Sequence, residues 1–150
     1  MEQHQKPHKN GFTLVESLLV LSIVTIMSFV LIVNIVPIYH EKVIETFLEQ
    51  FEKDMMYAQQ YALVNDEPVY ILFAVERNQY KIVTGESAKT LLSSNYQHKI
   101  QIEGVTLKNR VTFNSNGSIQ KSGTMLITYN GSSYKVIFYL GKGRMKIEKL

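Results

Sequence analysis

The chain has 150 residues, 45% of them hydrophobic, and contains neither cysteine nor tryptophan. That composition excludes a disulfide scaffold and leaves room for one modest globular domain beside any membrane segment. Sixteen lysines and arginines against 13 acids give a net charge of +3, a small total that hides an uneven distribution.

Residues 1–11 form a short polar leader that carries Lys6 and Lys9 and ends at Gly11. Phe12 opens an apolar run, residues 12–39, in which Glu16 is the lone charge. The run exceeds the roughly 20 residues that a helix needs to cross a bilayer, and a helix satisfies its own backbone groups there. Lysines ahead of the run predict a cytoplasmic N-terminus, with the rest of the chain outside. An ionised carboxylate costs about 2.5 kcal/mol or more at the bilayer centre, so a plain anchor would avoid Glu16. A subunit that leaves the membrane and pairs the charge with a neighbour could use it. A secretory signal peptide is the second reading, opposed by the internal Glu16, by Pro37 and by the lack of an A-x-A cleavage site. An ordinary single-pass anchor is the third.

Past the run, Ile44, Phe47, Leu48, Phe51, Met55, Ala58 and Ala62 recur at spacings of three and four, the mark of one apolar helical stripe. Pro68 bounds it. The spacing predicts one long helix from about residue 12 to 64, in which Pro37 is the place for a bend and residues 40–67 form an amphipathic half.

From residue 68 to 150 the period moves toward two. Residues 69–75 and 80–84 read as a hairpin around Arg77-Asn78, the polar stretch 87–97 as a loop, and 99–103 and 105–113 as strands. Asn116-Gly117 and Asn130-Gly131 are tight-turn signals. The second joins strands at 125–129 and 134–140, and 145–148 adds a last one. The expected fold class is α+β, with one antiparallel sheet packed on the second half of the helix.

The pattern Gly11-Phe12-Thr13-Leu14-Val15-Glu16, after a leader bearing Lys6 and Lys9, resembles the class III signal of type IV pilins and pseudopilins. The resemblance implies that a membrane prepilin peptidase cuts between Gly11 and Phe12 and that Phe12 becomes N-methylphenylalanine. It further implies that Glu16 pairs with the N-terminal amine of a neighbouring subunit during assembly. Its match covers about the first quarter of the chain, and one departure is a first proline, Pro37, later than the family usually places it. In the rest, Val111-Thr112-Phe113, Asn116-Gly117, Gly123-Thr124 and Gly141-Lys142-Gly143-Arg144 look like the H-type minor pseudopilins and the minor pilins of twitching and competence pili. The minor competence pseudopilins of Gram-positive bacteria resemble the chain most.

No catalytic constellation is found. His4, His8, His40 and His98 have no second ligand at metal spacing, and no phosphate loop or nucleophile elbow occurs. An enzyme, a metal site and a cofactor are therefore not expected. Asn116-Gly117-Ser118 and Asn130-Gly131-Ser132 fit the glycosylation triplet but read better as turns.

Residues 41–67 hold seven acids against two bases, whereas residues 68–150 hold twelve bases against four acids. The basic balance of +8 suggests an anionic partner for the sheet domain. DNA is one candidate, with Lys142, Arg144 and Lys146 as the densest local cluster; wall teichoic acid or an acidic neighbour subunit fits as well. The expected function is that of a minor pseudopilin in a competence fibre, a membrane protein before assembly and a cell-surface one after it. A DNA-binding tip subunit and a pseudopilin of a type II-like secretion system are the alternatives.

Overall fold

A computed structural model describes residues 13–85, 87–141 and 143–150, with the backbone alone given for residues 34–37. It begins with one α-helix, α1, Leu14–Asn65. The chain divides into two compact units, Met1–Glu41 and Lys42–Leu150.

In the first unit, every described residue from 13 to 33 is exposed. The helix opens at Thr13, whose Oγ1 accepts a hydrogen bond from the Glu16 N–H at 3.3 Å. This is the arrangement of a helix N-cap, which satisfies one otherwise orphaned donor of the first turn.

In the second unit, α1 turns Ile44, Leu48, Phe51, Met55, Ala58 and Ala62 into the core, the stripe that the three–four spacing predicts. Asp66 follows in the left-handed region, φ 52, and Pro68 cannot continue the helix.

Eight strands follow: β1 Val69–Ala74, β2 Gln79–Thr84, β3 Thr90–Asn95, β4 Gln101–Gly104, β5 Arg110–Phe113, β6 Gly123–Tyr129, β7 Ser132–Phe138 and β8 Met145–Lys149. They form two four-stranded antiparallel sheets, ordered β3-β2-β1-β5 and β4-β6-β7-β8. The α+β class stands, but the single expected sheet is two. Strand β4 joins the second sheet, β5 returns to the first, and Ile119 bridges Phe113 on one side and Gly141 on the other. Inward residues alternate along the strands: Val69, Ile71 and Phe73 on β1, Met125, Ile127 and Tyr129 on β6, Tyr134, Val136 and Phe138 on β7. Together with the helical stripe they make one hydrophobic cluster.

Two local expectations are corrected. The 87–97 stretch contains β3, an edge strand paired to β2. The single strand expected over 105–113 is confined to Arg110–Phe113, because residues 105–109 turn over the buried Leu107. Gly104 and Gly123 permit that turn. A Cβ on Gly104 would lie 1.7 Å from the Leu107 carbonyl oxygen, and one on Gly123 would lie 2.4 Å from Leu107 Cγ.

Candidate functional site

The first unit offers an apolar surface with one charge. Leu18, Leu19, Ile23, Ile26, Phe29 and Ile32 all project outward, so the helix has no apolar cover among the described residues of its own unit. Its hydroxyls are satisfied locally: Ser22 Oγ donates to Leu19 O, Thr25 Oγ1 to Leu21 O and Ser28 Oγ to Val24 O, each at 2.8 Å. Back-bonding of this kind lets serine and threonine sit in a hydrocarbon helix without unsatisfied donors. Glu16 differs. It lies in the first turn of α1, where the helix dipole favours an anion, and among the described residues it forms no ion pair. Gly11 and Phe12, the expected processing junction, lie outside the described residues.

Of the three cations of the expected C-terminal cluster, Arg144 and Lys146 line one surface cleft together with Tyr139, Leu140, Gly141 and Met145. Lys142 lies outside the described residues. Lys146 Nζ pairs with Glu148 Oε1 at 2.7 Å, which raises the ammonium pKa and lowers that of the carboxyl. Arg144 faces a cleft of about 290 Å³ that Glu52, Met55 and Met56 of α1 also line. Glu148 offsets the charge of Lys146, and Glu52 lines the same cleft as Arg144.

A different basic site, missed in the sequence, lies on the first sheet's β5 edge. Lys108, Arg110 and Lys121 line a groove of about 370 Å³ with Thr106, Thr112 and Gln120. The signal was the fold itself, since Lys108 and Lys121 are brought together only when residues 120–121 return alongside β5.

Among the described residues no group of three histidines, cysteines or acids is placed to hold a metal. Both glycosylation triplets form turns. The Ser118 N–H donates to Asn116 Oδ1 at 3.0 Å, while Asn130 and Gly131 have φ of 47 and 84, the left-handed pair that a two-residue hairpin requires.

Residues 6–32 match the family model of the prokaryotic N-terminal methylation motif. Competence protein ComGD of Bacillus subtilis (strain 168) is 32% identical over 141 residues, which cover 94% of each chain. The chain belongs to the ComGD family. Among solved structures, the type IV minor pilin FimU of Pseudomonas aeruginosa (strain PAO1) aligns with a TM-score of 0.59 at 16% identity. That alignment covers 69% of this chain and 87% of FimU. The minor pseudopilin EpsH from the type 2 secretion system of Vibrio cholerae aligns with a TM-score of 0.55 at 11% identity, covering 70% and 95%. At those identities the likeness establishes the pilin fold. This ComGD-family chain is thus a competence pseudopilin, with an N-methylation motif and an apolar helix suited to membrane anchoring ahead of a sheet domain.

Proposed function

We propose that the chain is a minor subunit of a competence fibre that is cut between Gly11 and Phe12 by a prepilin peptidase and methylated at Phe12. The observation that carries this is the uncovered apolar helix of residues 13–33, in a chain whose relative is a competence protein. Such a surface is stable in two places, the bilayer and a bundle of like helices, and an assembling subunit passes from the first to the second. Before assembly the N-terminus is cytoplasmic and the sheet domain extracellular; after assembly the domain stands at the cell surface.

Glu16 supports the passage. In lipid its charge is a cost, whereas beside a neighbour's α-ammonium group two isolated charges become one pair. Buried pairs often come close to break-even against their desolvation, so the pairing acts chiefly on register. Domain roles follow: residues 1–11 as leader, 12–39 as assembly helix, 40–67 as its amphipathic continuation and 68–150 as the globular part.

Mass spectrometry of the protein from cells with and without the peptidase tests the reading. The expected result is loss of residues 1–11 and a methylated Phe12 only where the peptidase is present, with DNA uptake lost when the gene is deleted. An intact Met1 in the fibre fraction, or normal uptake in the deletion strain, would overturn it.

A further inference from the structure

We propose that the groove between the 105–109 loop, β5 and residues 120–121 binds the phosphodiester backbone of DNA, an inference that rests on the reading of the chain as a competence subunit. The groove is held by backbone bonds on every side. Val105 N–H donates to Thr124 O at 3.0 Å, Phe73 N–H to Asn109 O at 2.9 Å and Gln120 N–H to Thr112 O at 2.9 Å. Leu107, 4% exposed, plugs the loop down over Gly104 and Gly123. Its neighbours Thr106 and Lys108 are consequently exposed. Thr106 Oγ1 accepts the Thr124 N–H at 2.7 Å, so its own proton is left to donate.

The cations are placed to act on an external anion. Among the described residues Lys108, Arg110 and Lys121 form no ion pair. The Arg110 guanidinium carbon sits 3.8 Å from the centre of the Tyr70 ring. Stacking of this kind limits the side chain's freedom while leaving N–H donors for a phosphate. Register extends the charge across the sheet. Leu72 pairs with Lys81 on one side and Arg110 on the other, which sets the two cations about 10 Å apart at the backbone on one face.

The lining favours a phosphodiester over a protein segment. It consists of hydroxyls, an amide and cations, with Leu107 committed to the core. A protein interface draws on a buried apolar centre, and this groove offers none. Contacts from these cations and hydroxyls to phosphate oxygens fix position on the duplex without reading its sequence.

The test uses the full chain in detergent micelles and a short fluorescent DNA duplex, titrated between about 50 and 200 mM salt. Lys108→Gln, Arg110→Gln and Lys121→Gln are combined, with Arg144→Gln/Lys146→Gln as the charge control. The parent should bind with a steep salt dependence. The groove variant should flatten the log–log slope by about 0.9 per lost phosphate contact and bind on the order of tenfold more weakly, with the control changed less. Lys108→Glu and Lys121→Glu, single changes at exposed positions, carry the test if the triple variant unfolds.

Equal binding by parent and groove variant would overturn the proposal, as would no binding by the parent at low salt. So would unchanged DNA binding with lost binding to wall teichoic acid or to a partner pseudopilin. Processing and fibre incorporation measured in the same strains separate the two readings. A groove variant that is cut and incorporated normally but takes up less DNA supports the groove, and one that takes up DNA like the parent refutes it. An uncut parent refutes the pseudopilin reading instead.

Discussion

Tyr80 on β2 donates its phenolic proton to Asp54 of α1 across 2.5 Å, joining the helix to the first sheet inside the core. Asp54 is 3% exposed, and its other carboxylate oxygen accepts from Gln50 Nε2 at 2.7 Å. A buried carboxylate is tolerable because both oxygens are paired. The Phe51 and Tyr80 rings meet nearly perpendicular with centroids 5.6 Å apart, so polar and apolar contacts fix the same register. Tyr80→Phe should cost about 1.5–3 kcal/mol of unfolding free energy, the scale of a hydrogen bond to a charged group. Denaturant unfolding of the full chain in micelles measures it, and a loss below about 0.5 kcal/mol would show that the bond does not hold the helix in place.

The same bond sets an alkaline limit. Burial first, and then Asp54, pushes the Tyr80 phenol well above its ordinary value. The native state therefore keeps a proton that the unfolded chain gives up above about pH 10. Stability is fully present below that pH and falls as pH rises beyond it, by up to about 1.4 kcal/mol per pH unit from this group. Tyr80→Phe should make the decline shallower between about pH 10 and 11.5, read from melting temperatures of parent and variant across that range.

Tyr96 supplies the contrast. Its ring stacks beside Tyr80 at 6.4 Å and meets Phe47 edge-on at 5.5 Å, yet its buried hydroxyl has no hydrogen-bond partner among the described residues. Removing an unsatisfied buried polar atom while keeping the ring costs nothing in contacts and relieves a desolvation penalty. Tyr96→Phe should leave stability unchanged or raise it by about 1 kcal/mol. A clear loss in the same unfolding assay would mean that the hydroxyl is satisfied by a group such as an ordered water.

Much of this architecture was legible in the sequence, and the parts that were not share a cause. The helical stripe from Ile44 to Ala62 and the Asn130-Gly131 hairpin are local patterns, and both appear where the spacing put them. Strand β3 escaped because it is an edge strand: Thr90, Ser93 and Asn95 are exposed, so no apolar alternation marks it. The division into two sheets depends on pairings such as β1 with β5 and β4 with β6, which join distant segments and leave no periodic trace. The basic groove was hidden in the same way. Counting charges along the chain selects close neighbours such as Arg144 and Lys146, whereas Lys108 and Lys121 meet only after the chain has folded. At the N-terminus the reverse holds, since the leader, junction and Glu16 are adjacent in sequence and form a motif without any tertiary structure.

Gly104 should be intolerant of any side chain. An added Cβ would overlap the backbone carbonyl of Leu107, and also approach the Lys108 carbonyl oxygen at 2.8 Å. Backbone cannot swing aside as a side-chain tip can, so the 105–109 loop must lift. Gly104→Ala should cost about 1–3 kcal/mol, in the range of overpacked cores, and weaken DNA binding without removing a cation. If DNA affinity falls no more than in a variant equally destabilised elsewhere, such as Phe51→Leu, the loop's posture does not shape the groove.

Glu16 is predicted to matter to assembly and not to residence in the membrane. Glu16→Val removes a charge whose insertion costs about 2.5 kcal/mol or more at the bilayer centre and less near a helix end, so membrane insertion should be unimpaired. Peptidase cleavage should also continue, because Gly11 and Phe12 are unchanged. Fibre incorporation should fall, since the neighbour's α-ammonium group would lose its partner, and Glu16→Gln should fall similarly because it keeps size but not charge. Thr13→Ala is the control for helix capping. It removes the hydroxyl that accepts the Glu16 N–H at a cost of about 1 kcal/mol, and should weaken the first turn while retaining the carboxylate. Crosslinking between subunits in intact cells, with DNA uptake beside it, measures the outcome. Crosslinking at the parent level in both Glu16 variants would remove the pairing role, and an equal loss in Thr13→Ala would assign Glu16's effect to helix capping instead.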